Sequence, residues 1–290
     1  MSSDFKLAPL QELCFAVVGL GLIGGSYIKA LRKLQVKKII GLDIDENVLR
    51  RACTLNLLDE ALTEADERLK EADVIICALY PQQIKGFVEK NAGFFKEDVL
   101  ITDVAGVKNN LSQELHGILP PSMEFISGHP MAGRQSSGFD MSSADIFQNA
   151  NYIIVADEFN SPQAAVWLEN FATALGCKNT VRVAPAEHDK IIAYTSNLPH
   201  ITAVALMDSA SFNEKTKYFV AGSFRDGTRV ADINPELWSS LFLANKEAVI
   251  EEIDIYIDEL LKWKNALRKS DAAALKELMS KASVRRKDLY

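Results

Sequence analysis

The residues able to do chemistry in this chain sit in a few short segments. Gly128-His129-Pro130-Met131-Ala132-Gly133 begins where an apolar run ends. A histidine held there by a proline and flanking glycines is suited to take a proton from an alcohol, since its reference pKa is about 6.5. Any activity using it as a base is then expected to decline below about pH 6.5. Gly19-Leu20-Gly21-Leu22-Ile23-Gly24 follows a second apolar run and opens a helical pattern, with Asp43 19 residues beyond Gly24. In that setting the glycines form a dinucleotide-binding fingerprint: Gly19 for the tight turn, Gly21 for close approach of a pyrophosphate, Gly24 for helix–strand packing. The first helical amides, at Leu22 and Ile23, would meet the phosphates. Asp43 would accept hydrogen bonds from a ribose and repel a 2′-phosphate. Ile44 follows it, not an arginine, so NAD is expected over NADP. Asp103 follows a further apolar run, at the carboxyl edge where such sheets bind ligands, and is counted with the cofactor contacts. Lys108, taken alone, reads as a solvated surface lysine.

Two later segments are also polar: Ser196-Asn197-Leu198-Pro199-His200 and Phe224-Arg225-Asp226-Gly227-Thr228-Arg229. Arginine clamps carboxylates through its planar fork. Spacing alone leaves these residues open between structural and functional roles.

The elements that must position them fall into two halves. Strand-like runs at 13–18, 38–42, 74–79, 99–102, 125–127, 152–156 and 181–184 alternate with helical patterns at about 46–57, 107–118 and 162–175. Such alternation argues for a parallel, doubly wound α/β sheet. After Pro185 no convincing strand appears and the helical patterns lengthen. The expected division is therefore 1–184 for the dinucleotide-binding domain and 185–290 for an all-helical domain. In the latter, Val249, Ile253, Tyr256, Leu260, Trp263 and Leu267 recur at steps of four and three, widened by Ile250, Ile257 and Leu261. That stripe suits either an internal bundle or a subunit interface.

Composition removes several classes of function. A net charge of −7 gives no footprint for nucleic acid or anionic lipid. No apolar run approaches the ~20 residues of a membrane span. Cys14, Cys53, Cys77 and Cys177 show no C-x-x-C spacing, so reduced thiols and no metal are expected. The N-terminus lacks a signal-peptide profile, which makes a cytoplasmic location the expectation.

Five stretches together resemble the prephenate/arogenate dehydrogenases over nearly the whole length. They are Val18 to Ser26, Thr102-Asp103-Val104-Ala105-Gly106-Val107-Lys108, Gly128 to Gly133, Ser196 to His200, and Thr228-Arg229-Val230-Ala231 followed by Trp238. The resemblance implies a Rossmann domain, then an all-helical domain that forms a homodimer, with the active site in the cleft between them. It implies that His129 takes the proton of a ring hydroxyl, that Arg229 binds a substrate carboxylate, and that Ser196 and His200 line the pocket. Gly222 and Trp238 match positions near the substrate side chain. The implied reaction is NAD-dependent oxidative decarboxylation of prephenate to 4-hydroxyphenylpyruvate, or of arogenate to tyrosine. Two positions depart from the family pattern: Gly106 stands where a serine is common, and Gln135 where a glutamate is usual. Both changes bear on substrate choice and leave His129 and Arg229 intact. A 3-hydroxyacid dehydrogenase shares the two-domain plan but relies on a Gly-x-x-x-Lys setting, whereas this chain has Glu187-His188-Asp189-Lys190. An NAD-binding regulator without catalysis would have no need of His129 together with Arg229. NADH formation with prephenate separates the first reading from both.

Overall fold

The computed structural model describes residues 7–133 and 137–289; Gln135 lies outside them. Eight strands form one sheet: β1 (Cys14–Val18), β2 (Lys38–Leu42), β3 (Glu60–Leu62), β4 (Val74–Cys77), β5 (Leu100–Asp103), β6 (Glu124–Pro130), β7 (Asn151–Val155) and β8 (Asn179–Val183). Their spatial order is β3-β2-β1-β4-β5-β6-β7-β8. The chain therefore winds outward one way from β1 and then the other way from β4, which puts the topological switch point between these two strands. All neighbours are parallel except β6 and β7, which pair antiparallel with His129 opposite Ile153.

Both faces of the sheet are covered, and the strands show why. Phe15 and Val17 of β1 face one core, together with Ile39, Ile76 and Ile126. Cys14, Ala16 and Val18 face the other, with Ile40, Ile75 and Ile101. The period of two sends alternate side chains to opposite layers, so a strand covered on both sides reads as an unbroken apolar run. Helices α1 (Leu22–Lys33) and α5 (Pro162–Ala174) close the first layer; α3 (Pro81–Asn91) and α4 (Leu111–His116) close the second. The remaining helix of this sheet, α2 (Glu46–Thr54), follows β2 and buries Leu49 and Ala52.

Two elements of the sheet and its covering layers escaped the pattern reading. β3 is three residues long with Glu60 and Ala61 half-buried, too short to show a period. α3 begins at Pro81, where proline stops β4 but also occupies the first helical turn, the one place a missing N–H costs a helix nothing.

The contacts divide the chain into two compact units, 1–192 with 232–244 and 193–231 with 245–290. By contacts the first division falls after α6 (Pro185–Ile192), because His188 and Asp189 of α6 bond to residues of the sheet unit. α9 (Pro235–Ala244) also belongs to the first unit. The second unit is wholly helical among its described residues: a π-helical turn (Ala193–Asn197), α7 (Leu198–Met207), α8 (Gly222–Thr228), α10 (Lys246–Arg268) and α11 (Ala272–Leu289). α10 buries Val249, Glu252 and Ala266. Of its stripe, Ile250, Ile257 and Leu260 are each about half exposed in the single chain, while Ile253 and Tyr256 are partly buried.

Candidate active site

The glycine loop lies at the switch point, between the end of β1 and the start of α1. Gly19 has φ +84°, and a Cβ there would come within 2.6 Å of the Ala78 carbonyl oxygen. A Cβ on Gly24 would stand 1.8 Å from the Gly19 carbonyl oxygen, so helix and turn can meet only if that position is bare. Gly21 is different: nothing lies within 4 Å of its Cβ position. It caps α1 with no side-chain hydrogen bond to the first-turn amides, which include those of Leu22 and Ile23. An open cradle over helix N–H groups fits a pyrophosphate. Asp43, just past β2, accepts hydrogen bonds from the backbone N–H of Leu20 at 2.6 Å and of Asp45 at 2.9 Å. Its half-exposed carboxylate thus ties the loop to β2, at the edge where a ribose would lie. Ile44 beside it is 91% exposed. These residues fit a dinucleotide.

The Asp103 side chain is turned inward. It is fully buried at the end of β5, and its oxygens are taken up internally by the Ser127 hydroxyl at 2.5 Å, the Ala105 N–H at 2.9 Å and the Lys108 ammonium at 2.7 Å. Lys108 is likewise no surface residue; it is buried and also donates to the Gly128 carbonyl at 2.7 Å. Burial pushes the Lys108 ammonium below its usual pKa, against the pull of Asp103. The pair ties the turn after β5 to the segment of β6 that carries the histidine. Gly128 is bare for a separate reason: a Cβ there would sit 2.5 Å from the Tyr152 hydroxyl.

His129 follows. Its Nδ1 lies 2.9 Å from Nε2 of His188, whose Nδ1 lies 2.7 Å from Oδ1 of Asp189. Asp189 also accepts the backbone N–H groups of Lys108 at 2.9 Å and Asn109 at 2.7 Å. On its other side, His129 looks toward Gly106, where a Cβ would stand 3.8 Å from Nε2. Burial first, then the Lys108 cation and the His188 ring, hold the His129 pKa well below its ordinary value. The decline expected near pH 6.5 from the reference value therefore moves to lower pH. His188 and Asp189 had no assigned role in the sequence, where they stand 59 and 60 positions beyond His129. The one local signal was a histidine next to an aspartate at a helix start.

The second unit brings together three of the predicted residues. Nδ1 of His200 donates to the Ser196 carbonyl at 2.8 Å, back across the turn before α7. The π-helical turn containing Ser196 precedes Pro199 in the first turn of α7. Proline removes an N–H there, and a widened turn is a common local adjustment. Burial lowers the pKa of His200, and the nearby Arg229 cation lowers it further. Arg229 opens a short turn packed on α7. Gly222 opens α8, with open space at its Cβ position. Trp238 lies on α9 in the first unit, its ring 5.4 Å from that of Phe242. Among the described residues, no three His, Cys, Asp or Glu side chains are grouped to hold a metal ion.

Two family models match the chain: "Prephenate dehydrogenase, nucleotide-binding domain" over residues 28–181 and "Prephenate dehydrogenase, dimerization domain" over residues 184–281. The chain is 33% identical over 265 residues to a prephenate dehydrogenase of Bacillus subtilis, covering 89% of this chain and 71% of that protein. It is 33% identical over 270 residues to a cyclohexadienyl dehydrogenase of Zymomonas mobilis, covering 90% and 91%. The fold is similar to that of a prephenate dehydrogenase from A. aeolicus solved with hydroxyphenyl propionate and NAD+. The TM-score is 0.89 at 27% identity, over 98% of this chain and all of that one.

Proposed function

The chain belongs to the prephenate dehydrogenase family and is an NAD-dependent oxidoreductase, and from that premise we propose how its own residues carry out the oxidative decarboxylation of prephenate to 4-hydroxyphenylpyruvate. The observation that carries the reading is His129: an imidazole kept neutral by burial, held at Nδ1 and facing the bare backbone of Gly106 with Nε2. A neutral imidazole accepts a proton from an alcohol; a protonated one cannot.

In this reading Gly19, Gly21, Leu22, Ile23 and Gly24 cradle the cofactor phosphates, and Asp43 accepts from the adenosine ribose. Asp103 leaves the cofactor set and acts by pairing with Lys108. When bound, NAD accepts a hydride from the carbinol carbon. Nε2 of His129 takes the hydroxyl proton as the O–H bond breaks. The substrate's C–C bond to its ring carboxylate then breaks, carbon dioxide leaves, and the electron pair restores an aromatic ring with a phenolate oxygen, which takes the proton back from Nε2 of His129 to give the phenol. Arg229 clamps a substrate carboxylate through its fork, Ser196 and His200 line the same pocket, and Gly222 and Trp238 lie toward the substrate side chain.

The exposed apolar face of α10 is the homodimer surface in this reading, supported by the match of this unit to a dimerization domain. Four unpaired cysteines, three of them buried, support a reducing, cytoplasmic setting. No helix among the described residues is long and apolar enough to cross a membrane.

The test is NADH formation by the purified protein with prephenate and, in parallel, arogenate. His129→Asn should lower turnover by about 10²-fold or more, the scale of a lost general base, while NAD still binds. Near-normal turnover in that variant removes His129 from the mechanism. A preference for arogenate moves the substrate assignment to the amino acid.

A further inference from the structure

We propose that His188 and Asp189 are positioning residues which fix His129 in the tautomer whose Nε2 is bare and ready to accept a proton. The inference rests on the reading of His129 as the base and extends it to two residues that touch neither substrate nor cofactor.

The argument is one of donors and acceptors along a chain of hydrogen bonds. An ionised carboxylate only accepts. Asp189 accepts N–H bonds at both oxygens, from Lys108 on Oδ1 and Asn109 on Oδ2, so it cannot turn away from the loop. Asn109 adopts φ +43°, a left-handed backbone that lets two successive amides point at one side chain. The contact from His188 Nδ1 to Asp189 Oδ1, at 2.7 Å, must then carry its proton on the nitrogen. A neutral imidazole has one N–H, so Nε2 of His188 is an acceptor. The 2.9 Å contact between His188 Nε2 and His129 Nδ1 is satisfied only when His129 donates. His129 therefore holds its proton on Nδ1, and its Nε2, toward Gly106, carries the lone pair.

Burial makes this arrangement firm. The His188 side chain is 1% exposed, so no water competes for its nitrogens. A reversed His129 tautomer would set two lone pairs against each other across that contact, and a buried unpaired group costs about 1–3 kcal/mol. Such a difference favours the bare-Nε2 form by roughly 5- to 150-fold. When the substrate proton arrives, the new N–H forms at Nε2 and the substrate O–H bond breaks. The Nδ1 proton keeps its acceptor throughout, and the imidazolium keeps its orientation. The logic is that of the orienting carboxylate in a serine hydrolase triad, where the wrong tautomer abolishes a base without moving it.

The test begins with the wild-type protein carrying 15N-labelled histidine, with His129→Asn used to assign its signals. Long-range 1H–15N correlation should show His129 protonated at Nδ1 and bare at Nε2 at neutral pH. His188→Leu removes the acceptor and should transfer a substantial share of His129 to the Nε2–H form. Turnover should fall about 10- to 10²-fold, with the Michaelis constants for prephenate and NAD within about twofold. His188→Gln offers its amide oxygen to His129 Nδ1 and should restore most of the lost turnover. A wild-type His129 protonated at Nε2 overturns the proposal, and so does His188→Leu with wild-type turnover. The wild-type spectrum decides alone if His188→Leu does not fold. Full activity in His129→Asn would instead overturn the base assignment. Loss of activity there, with an Nε2–H wild type, overturns only the relay.

Discussion

Replacing Lys108 with methionine tests the site at its most heavily buried point. Lys108 and Asp103 meet at 2.7 Å with side chains 2% and 0% exposed, so methionine keeps the volume and strands a carboxylate. Breaking a buried ion pair from one side costs about 3–5 kcal/mol. Asp103 still keeps the Ser127 hydroxyl and the Ala105 N–H, which favours the lower end of that range. The Gly128 carbonyl also loses its ammonium donor, worth about 1 kcal/mol. A loss of about 3–4 kcal/mol is a large share of the 5–15 kcal/mol typical of folded proteins. It should be read by equilibrium urea denaturation. Adding Asp103→Asn removes the stranded charge and should recover about half of the loss or more. The same variant carries a second readout. Neutral His129 is the active form, and the Lys108 cation is the second-largest cause holding its pKa down, after burial. Without that cation the imidazolium becomes less costly, protonation begins at higher pH, and the acid limb of kcat/KM moves up toward pH 6.5. It should stay raised in the double variant, which also lacks the cation. A stability change under about 1 kcal/mol would refute the energetic argument. An unmoved acid limb would refute the electrostatic one.

Three further outcomes are expected. Gly106→Ser should fold normally, since its Cβ meets His129 Nε2 only at an ordinary 3.8 Å and its backbone is not left-handed. Its hydroxyl can join the hydrogen bonds around the reacting alcohol, and one such bond should raise kcat/KM for prephenate about two- to tenfold; a fall would mean that the serine occupies Nε2 in competition with substrate. Asp43→Ser with Ile44→Arg should shift the kcat/KM ratio toward NADP by about tenfold or more, with weaker NAD use because Leu20 loses its carboxylate acceptor. An unchanged cofactor ratio would contradict the ribose assignment. Ile257→Glu with Leu260→Glu places charge on the exposed face of α10 and should yield monomers by sedimentation; an intact dimer would put the interface elsewhere.

What the sequence could and could not reveal follows from how far apart the partners lie. The glycine loop was legible because its demands are local: a positive φ at Gly19 and a close approach at Gly24 belong to neighbouring residues. The central strands of the sheet were legible because burial on both faces leaves continuous apolar runs. Asp103 and Lys108 were read separately, one as a cofactor contact and the other as a surface group, and the burial of Lys108 overturns the second reading. Each is polar in isolation, and only the turn between them shows that they satisfy each other. His129 stood out by its proline and glycines, but its partner His188 could be found only through the fold. The pH expectation moves for the same reason, since a reference pKa knows nothing of burial. The stripe of α10 stays open between core and interface in the sequence, because its period is the same for both, and in the single chain Ile250, Ile257 and Leu260 are about half exposed.

The lowered pKa of His129 raises a question of chemistry, because a buried imidazole is a weaker base as well as a less protonated one. In the proposed reaction the first property costs little. As hydride leaves the carbinol carbon, the hydroxyl becomes a protonated carbonyl, which is far more acidic than an imidazolium. Almost any unprotonated acceptor in reach will then take the proton, and loss of carbon dioxide with aromatisation prevents the hydride transfer from reversing. What limits such a base is the fraction of molecules in which it already carries a proton, or carries it on the wrong nitrogen. Burial and the Lys108 cation act on the first of these, and the fixed donors and acceptors through His188 to Asp189 act on the second. A site arranged this way gives up base strength and keeps readiness, which suits a reaction whose driving force comes from the substrate.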